Sequence, residues 1–383
     1  MPVLFSDQFE ASYAMVNDRV RARQATVDYG WLLTHVDGFL PDYFTIRTMG
    51  HRVGVRGLNY ITSPVLGRWG MGYAVMSRLV GVFYDSLCPN EADSRLWLLH
   101  RLRQPPPGML DWSLVEFFLF LNDWFQGQFE PILRSFESVK NTLNRRALSV
   151  VHATLVADAQ STSLSQLIHA ACYANWLDVI LPDFHDRQSR VLLDIQAMLK
   201  SGAGDASFST EIMAAFHSHG VIMYECDNAG EVVFDLLVVT RLILMGKSVT
   251  IVAKQSPILN DVTVEEVHQL IASEPIFDAL AHALKHRQLS VISANDFAMV
   301  GKYLPLATRT YRTAYAAADF IWLKGQANFQ TMPICHFGVF KKEIQYKKPM
   351  GMGLIVKAPI VAHCLRCAGV KKASLGDPLV VLI

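Results

Sequence analysis

The sequence predicts an α/β protein, with a mainly helical domain over residues 1–205 and a three-layer, Rossmann-like domain with a largely parallel sheet over 206–383. Three observations predict it. Apolar residues recur at helical spacing through "SLVEFFLFLNDWFQGQFEPILRSFESVKNTL" (113–143), "SLSQLIHAACYANWLDVIL" (163–181) and "SRVLLDIQAMLK" (189–200). Short β-rich runs separated by helix-length segments then take over, as a parallel sheet with helical crossovers requires. Between the two patterns lies "SGAGDASFST" (201–210), polar and small enough to be a linker, and an active-site cleft between the two domains is the expected arrangement.

The elements follow in order. "RLRQPPPGML" reads as a surface connection, because its three prolines cannot continue a helix. "GVIMYEC" reads as a strand, "EVVFDLLVVTRLILMG" as a helix and "SVTIVAKQ" as a second strand. "TVEEVHQLIAS" and "IFDALAHALKH" are helices, the first with a Thr263 to Glu266 capping-box spacing. "LSVIS" and "FIWLKG" are strands on either side of the helix in "YRTAYAAAD", and "MGLIVKAPIVA" and "PLVVLI" add edge strands.

Composition narrows the function classes. At 383 residues, 51% hydrophobic and 18% charged, the chain can bury a sizeable core and is no polyelectrolyte. Lys and Arg total 35 against 34 Asp and Glu, which gives no general attraction to nucleic acid or an anionic membrane. Mean hydropathy is +0.22, yet the apolar runs carry a charge within any window long enough to span a bilayer. Six cysteines and the leaderless opening "MPVLFSDQFE" lead to the expectation of a cytoplasmic protein with reduced thiols. Cys364 and Cys367 form a lone CxxC beside His363, read as packing cysteines rather than a metal half-site.

The polar groups that need explaining sit at strand ends. "YECDNAGEVV" places Asp227, Asn228 and Glu231 after the first strand; "VAKQSPILNDVT" places Lys254, Ser256, Asn260 and Asp261 after the second. "VISANDF" and "WLKGQANF" add Asn295 and Asp296, then Lys324 and Asn328, after the next two. In open α/β sheets ligands gather beyond the carboxyl ends of the strands. Carboxylates and amides converging there suit a hard divalent cation, and a lysine suits phosphate oxygens. Each residue also has a structural reading: Asp227 as a helix cap, Asn328 as a turn residue, Lys324 as a solvated charge. The chain lacks a GxSxG elbow, a P-loop, a GxGxxG fingerprint and an HExxH pair, so serine-hydrolase, nucleotide-triphosphatase, dinucleotide-binding and zinc-peptidase readings have no local support.

Four segments in this order, "ACYANWLD", "ECDNAGEVVFDLL", "VAKQSPILNDVT" and "ADFIWLKGQANFQTM", resemble the DUF89, or damage-control phosphatase, family, which includes a protein described as an acidic-residue methyltransferase. The resemblance runs from about residue 165 to the end. It implies Asp227, Asn228 and Asp261 as ligands of a divalent metal ion (Mn2+, Ni2+, Co2+ or Mg2+). It implies Asn175 and Asp178 facing the cleft from the helical domain, and Lys324 as the phosphate-binding cation with Asn328 beside it. Gln255, Ala174 and the "SAND" loop depart from the family's usual residues, and the changes at 255 and 294–296 bear on pocket shape.

The function expected is metal-dependent hydrolysis of small phosphorylated metabolites, a phosphomonoesterase in metabolite damage control. Asp178, Asp261 and Lys324 are the expected catalytic residues, and Asn175, Glu231, Ser256, Lys324 and Asn328 the expected substrate contacts. The expected partner is a small phosphorylated metabolite, with no nucleic acid and no membrane. The alternatives are an S-adenosylmethionine-dependent carboxyl methyltransferase and a noncatalytic binding protein. Against the first, no glycine-rich turn follows the "GVIMYEC" strand, and Asp227 with Glu231 would repel a carboxylate acceptor.

Overall fold

In this computed structural model the described residues are 2–24, 31, 34, 72–112, 114–128, 130–155, 162–179, 184–201, 210–332, 348–357, 362, 365–366, 373–376 and 378–382. Cys364, Cys367 and His363 lie outside them, as does the 205/206 boundary expected from sequence.

Among the described residues six strands form one sheet: β1 (Val221–Glu225), β2 (Ser248–Ala253), β3 (Leu289–Ser293), β4 (Phe320–Lys324), β5 (Met350–Ile355) and β6 (Pro378–Leu382). Their order is β3-β2-β1-β4-β5-β6. The first five run parallel, and β6 closes the edge antiparallel to β5. The chain therefore steps outward from β1 to β3, then restarts on the other side of β1 with β4. Such a reversal opens a crevice between the two strands at their carboxyl ends. Register makes those ends flush, because Glu225 pairs with both Val252 of β2 and Leu323 of β4.

Alternation along the strands sends successive side chains to two cores. Ile222, Tyr224, Phe320 and Trp322 join a core continuous with the helical half as far as Phe9, while Met223, Ile321 and Leu323 join a second core with Tyr311 and Tyr315. On the first face the helix Glu231–Leu244 packs against the helices Leu164–Tyr173 and Glu130–Leu155; on the second, the helix Arg309–Ala317 packs against β1 and β3.

Local signals set the element ends. Ser163 and Gln166 form a reciprocal capping box at the helix Leu164–Tyr173, as do Thr263 and Glu266 at the helix Val264–Ser273. The proline-rich connection continues as a short 3-10 turn, Pro107–Asp111, after the helix Ala92–Leu102 has ended. Among the described residues no helix is long and apolar enough to cross a membrane.

Candidate functional site

The site lies where β1, β2 and β4 end together. After β1 the backbone turns through Cys226 to Gly230, whose φ of +79° only glycine adopts without strain, and the helix begins at Glu231. After β2 a longer loop returns so that Asn228 and Asp261 form an isolated antiparallel bridge. Two backbone bonds fasten the loops together: Ala229 N–H to the Asn260 carbonyl at 2.8 Å and Val262 N–H to the Asp227 carbonyl at 2.9 Å. Asp227 and Asp261 are thereby brought to one place from strands that are neighbours in the sheet.

Asn175 links the helical layer to these loops. Its Nδ2 donates to Asp227 Oδ2 and to Glu231 Oε2, both at 2.8 Å, and its Oδ1 accepts from Ile355 N–H at the end of β5 at 3.2 Å. Asn228 Nδ2 repeats the pattern, donating to Asp227 Oδ2 at 2.8 Å and to Glu231 Oε2 at 3.1 Å. The three-residue spacing of Asn175 and Asp178 suits one face of an α-helix, but the two do not lie on one. The helix stops at Tyr173, a 3-10 turn over Ala174–Leu177 carries Asn175, and Asp178 follows in extended backbone. Both side chains still reach the cleft, Asn175 on Asp227 and Asp178 on Lys357.

Electrostatics mark the group as acidic. Burial, together with the carboxylates of Glu231, Asp261 and Asp178, pushes Asp227 up to about 8 despite the opposing charge of Lys357. Asp261 is pushed up to about 6, chiefly by burial, against the pull of Lys254. Lys254 Nζ lies 3.4 Å from Asp261 Oδ2, close enough for charge attraction but without hydrogen-bond alignment, so this buried oxygen accepts no hydrogen bond. Lys254 Nζ donates instead to the Gly301 carbonyl at 2.5 Å. The neighbouring Asn260 side chain is wholly buried with both polar atoms unpartnered.

Lys324, expected on a phosphoryl group, takes a different place. Along β4 it shares a face with Phe320 and Trp322, so it points into the helical layer and is fully buried. Its ammonium meets Glu231 Oε1 at 2.5 Å, Asp235 Oδ1 at 3.1 Å and the Ala171 carbonyl at 2.9 Å. An ammonium has three N–H bonds. All three have acceptors within the protein. Asn328 likewise donates to the carbonyls of Cys226 and Lys324, both at 2.9 Å, tying the ends of β1 and β4. Ser256 is half-buried on the β2 loop, and next to it the exposed Gln255 accepts from Ser293 at 3.0 Å.

The cation that sequence reasoning missed at this site is Lys357, just beyond β5. Its Nζ pairs with Asp178 at 2.7 Å, and the charges of Asp178 and Asp227 raise its pKa against the opposing effect of burial. A signal was present in "LIVKAP", a lone lysine after an apolar strand, but nothing in its spacing connects it to Asp178, 179 residues away. Gly325, beside Lys324 in "WLKGQANF", has a role that the sequence does not assign. Its φ is +75°, and a Cβ there would lie 1.9 Å from Asp227 Oδ2, so only glycine leaves room for that carboxylate. Beside the group, a recess lined by Lys254, Gln255, Asn295, Phe297 and Lys302 opens over β1, β2 and β3.

Among the described residues no three His, Cys, Asp or Glu side chains form a metal-holding group. A donor set of two carboxylates and an amide does fit a hard cation. Asp261 Oδ2 is buried without a hydrogen bond, Oδ1 of Asp227 takes no part in the asparagine bonds, and the negative charge collected here is what a divalent ion offsets.

A mostly parallel sheet, wound outward from β1 in both directions with an acidic, oxygen-rich crevice at its switch point, defines a Rossmann-like α/β fold. Residues 104–356 match the damage-control phosphatase ARMT1-like domain, and the chain belongs to that family. The match begins some 60 residues earlier than the resemblance read from motifs and so takes in part of the helical half. A damage-control phosphatase of Pyrococcus horikoshii is 34% identical over 112 residues, 29% of this chain and 34% of that protein. One of Archaeoglobus fulgidus is 29% identical over 115 residues, 30% of this chain and 35% of that protein. An uncharacterized protein of Methanocaldococcus jannaschii is 27% identical over 111 residues, so the aligned segments span about a third of each of these relatives. The crystal structure of a DUF89 family protein from Pyrococcus horikoshii shares the fold, with a TM-score of 0.53 at 20% identity over 80% of this chain and 95% of that one.

Proposed function

We propose that the crevice between β1 and β4 hydrolyses small phosphorylated metabolites with the help of a divalent cation held by Asp227, Asn228 and Asp261. The observation that carries this reading is the gathering of buried acidic groups around Asp227, which burial and neighbouring carboxylates push up to about 8. The family's damage-control phosphatases are consistent with it. Held by Asp227, Asn228 and Asp261, a divalent cation would supply Lewis-acid chemistry for attack of water on a phosphoryl group.

The chain's own residues do the rest. Asn175 and Asn228 hold Asp227 Oδ2 through their amide N–H groups and so fix which carboxylate oxygen faces the ligand. Lys357, paired with Asp178, offers positive charge to the nonbridging oxygens of a phosphoryl group. Two carboxylates of the cluster stand outside the ligand set; Glu231 is engaged by Lys324 and both asparagines, and we assign Asp178 to take the proton of the attacking water. Lys324 acts from beneath, compensating Glu231, whose carboxylate accepts from both asparagines. We assign Ser256, half-buried on the β2 loop, to donate to the substrate.

The test is a phosphate-release screen of the purified chain across sugar phosphates, phosphopantetheine and an aryl phosphate, with Mn2+, Co2+, Ni2+, Mg2+ or chelator. Cation-dependent release that falls by at least about 100-fold in Asp227→Asn is the expected result. Cation-dependent release unaltered by D227N would sink the assigned site. Consumption of S-adenosylmethionine without metal would replace the reaction altogether.

A further inference from the structure

Two amides from the helical half reach into the loops that carry the proposed cation ligands. Asn144, on the helix Glu130–Leu155, accepts the Gly230 N–H at 2.6 Å, and Asn122, on the helix Leu114–Gln128, accepts the Leu259 N–H at 3.1 Å. Both asparagines are only 7% exposed. The backbone groups they serve are buried and stand in unusual conformations. Gly230 has φ of +79°, and Leu259 has φ of +49°, a left-handed conformation uncommon for a residue with a side chain.

No helix or strand bond uses these N–H groups. Gly230 is the cap residue of the helix Glu231–Leu244 and has no side-chain cap of its own. Leu259 lies two residues before Asp261, and Gly230 three after Asp227. Leu143, next to Asn144, closes on the same turn, since a Cβ at Gly230 would lie 2.9 Å from Leu143 Cβ. Lys140, one helical turn earlier, pairs with Glu266 at 2.7 Å and so holds the helix that follows the Asp261 loop. One helix thus fastens the downstream side of both loops, and Asn122 fastens the approach to Asp261.

We infer that Asn144 and Asn122 are positioning residues for the cation ligands, which makes the helices Leu114–Gln128 and Glu130–Leu155 part of the site rather than a separate module. This rests on the cation reading above. Without an acceptor, each buried N–H would seek water or another partner, and its loop would leave the conformation that places Asp227 or Asp261.

The test reads cation affinity directly, by titrating Mn2+ into the full chain and following the electron paramagnetic resonance of the unbound ion, with thermal unfolding measured alongside. Asn144→Ala and Asn122→Ala are expected to weaken Mn2+ binding by roughly 5- to 100-fold. Asn144→Asp keeps the acceptor oxygen and is expected to restore most of that affinity. Ser94→Ala removes the 2.6 Å bond to Tyr84, away from both loops, and is expected to lower the unfolding temperature with affinity unchanged. The inference is overturned if N144A and N122A lower the unfolding temperature as S94A does but bind Mn2+ like the parent. If the parent itself binds no Mn2+, the cation reading fails and this inference falls with it.

Discussion

Around Trp124 the helices meet through rings and neutral hydrogen bonds, whereas around Lys324 a strand and two helices meet through buried charge. Trp124 stacks on Trp97 with centroids 5.6 Å apart and planes 3° from parallel, and Phe9 meets Phe120 edge-on at 5.2 Å. Trp124 Nε1 donates to Tyr84, whose hydroxyl lies 2.6 Å from that of Ser94. Beneath the site, Lys324, Glu231 and Asp235 are fully buried, and Tyr224 donates to Asp235 at 2.6 Å. Ring packing tolerates exchange of one apolar side chain for another at moderate cost. A buried ionic group does not, because removing one member leaves its partners charged and dry. The difference teaches where the fold spends its specificity: rigid charge placement sits directly under the loops that must hold their shape.

The largest effect that separates the two regions comes from Lys324→Met. It leaves Glu231 and Asp235 without their cation and is expected to cost about 3–5 kcal/mol in urea unfolding. Trp124→Leu, a comparable loss of contacts among rings, is expected to cost about 2–3 kcal/mol and to leave Mn2+ affinity alone. Equal costs, or a change in Mn2+ affinity in the Trp124 variant, would erase the distinction between the regions.

A smaller effect sharpens it through pH. Burial raises Asp235 from 3.8 to about 6, with Lys324 opposing the shift. A folded carboxyl that holds its proton more tightly than the unfolded chain contributes stability below about pH 4, and that contribution is lost as the pH rises to about 6. Asp235→Asn has no such proton. The stability difference between D235N and the parent is therefore expected to move in favour of the variant across that window, by on the order of 1–3 kcal/mol. A difference that stays constant between pH 4 and 6 contradicts the buried-charge account.

How much was legible in the sequence follows the range of the interactions. The strands and crossover helices of the sheet half were readable from periodicity, and so was the capping box at Thr263, because these depend on neighbours a few residues away. The polar break at Asp227, Asn228 and Glu231 stood out because it interrupts an apolar run at a strand end. The direction of Lys324 did not: alternation says that it shares a face with Phe320 and Trp322, but not that this face is covered by Glu231 and Asp235. Asn144 and Asn122 were invisible for a stronger reason. Their bonds span 86 and 137 residues, and a polar residue on an amphipathic helix reads as solvent-facing unless its partner is known.

The most direct measurement of the central claim is anomalous scattering from crystals of the full chain grown with Mn2+. The account predicts an ordered peak bonded to the carboxylates of Asp227 and Asp261 and to the side chain of Asn228. A peak bound elsewhere, or no peak at these residues under saturating Mn2+, contradicts it.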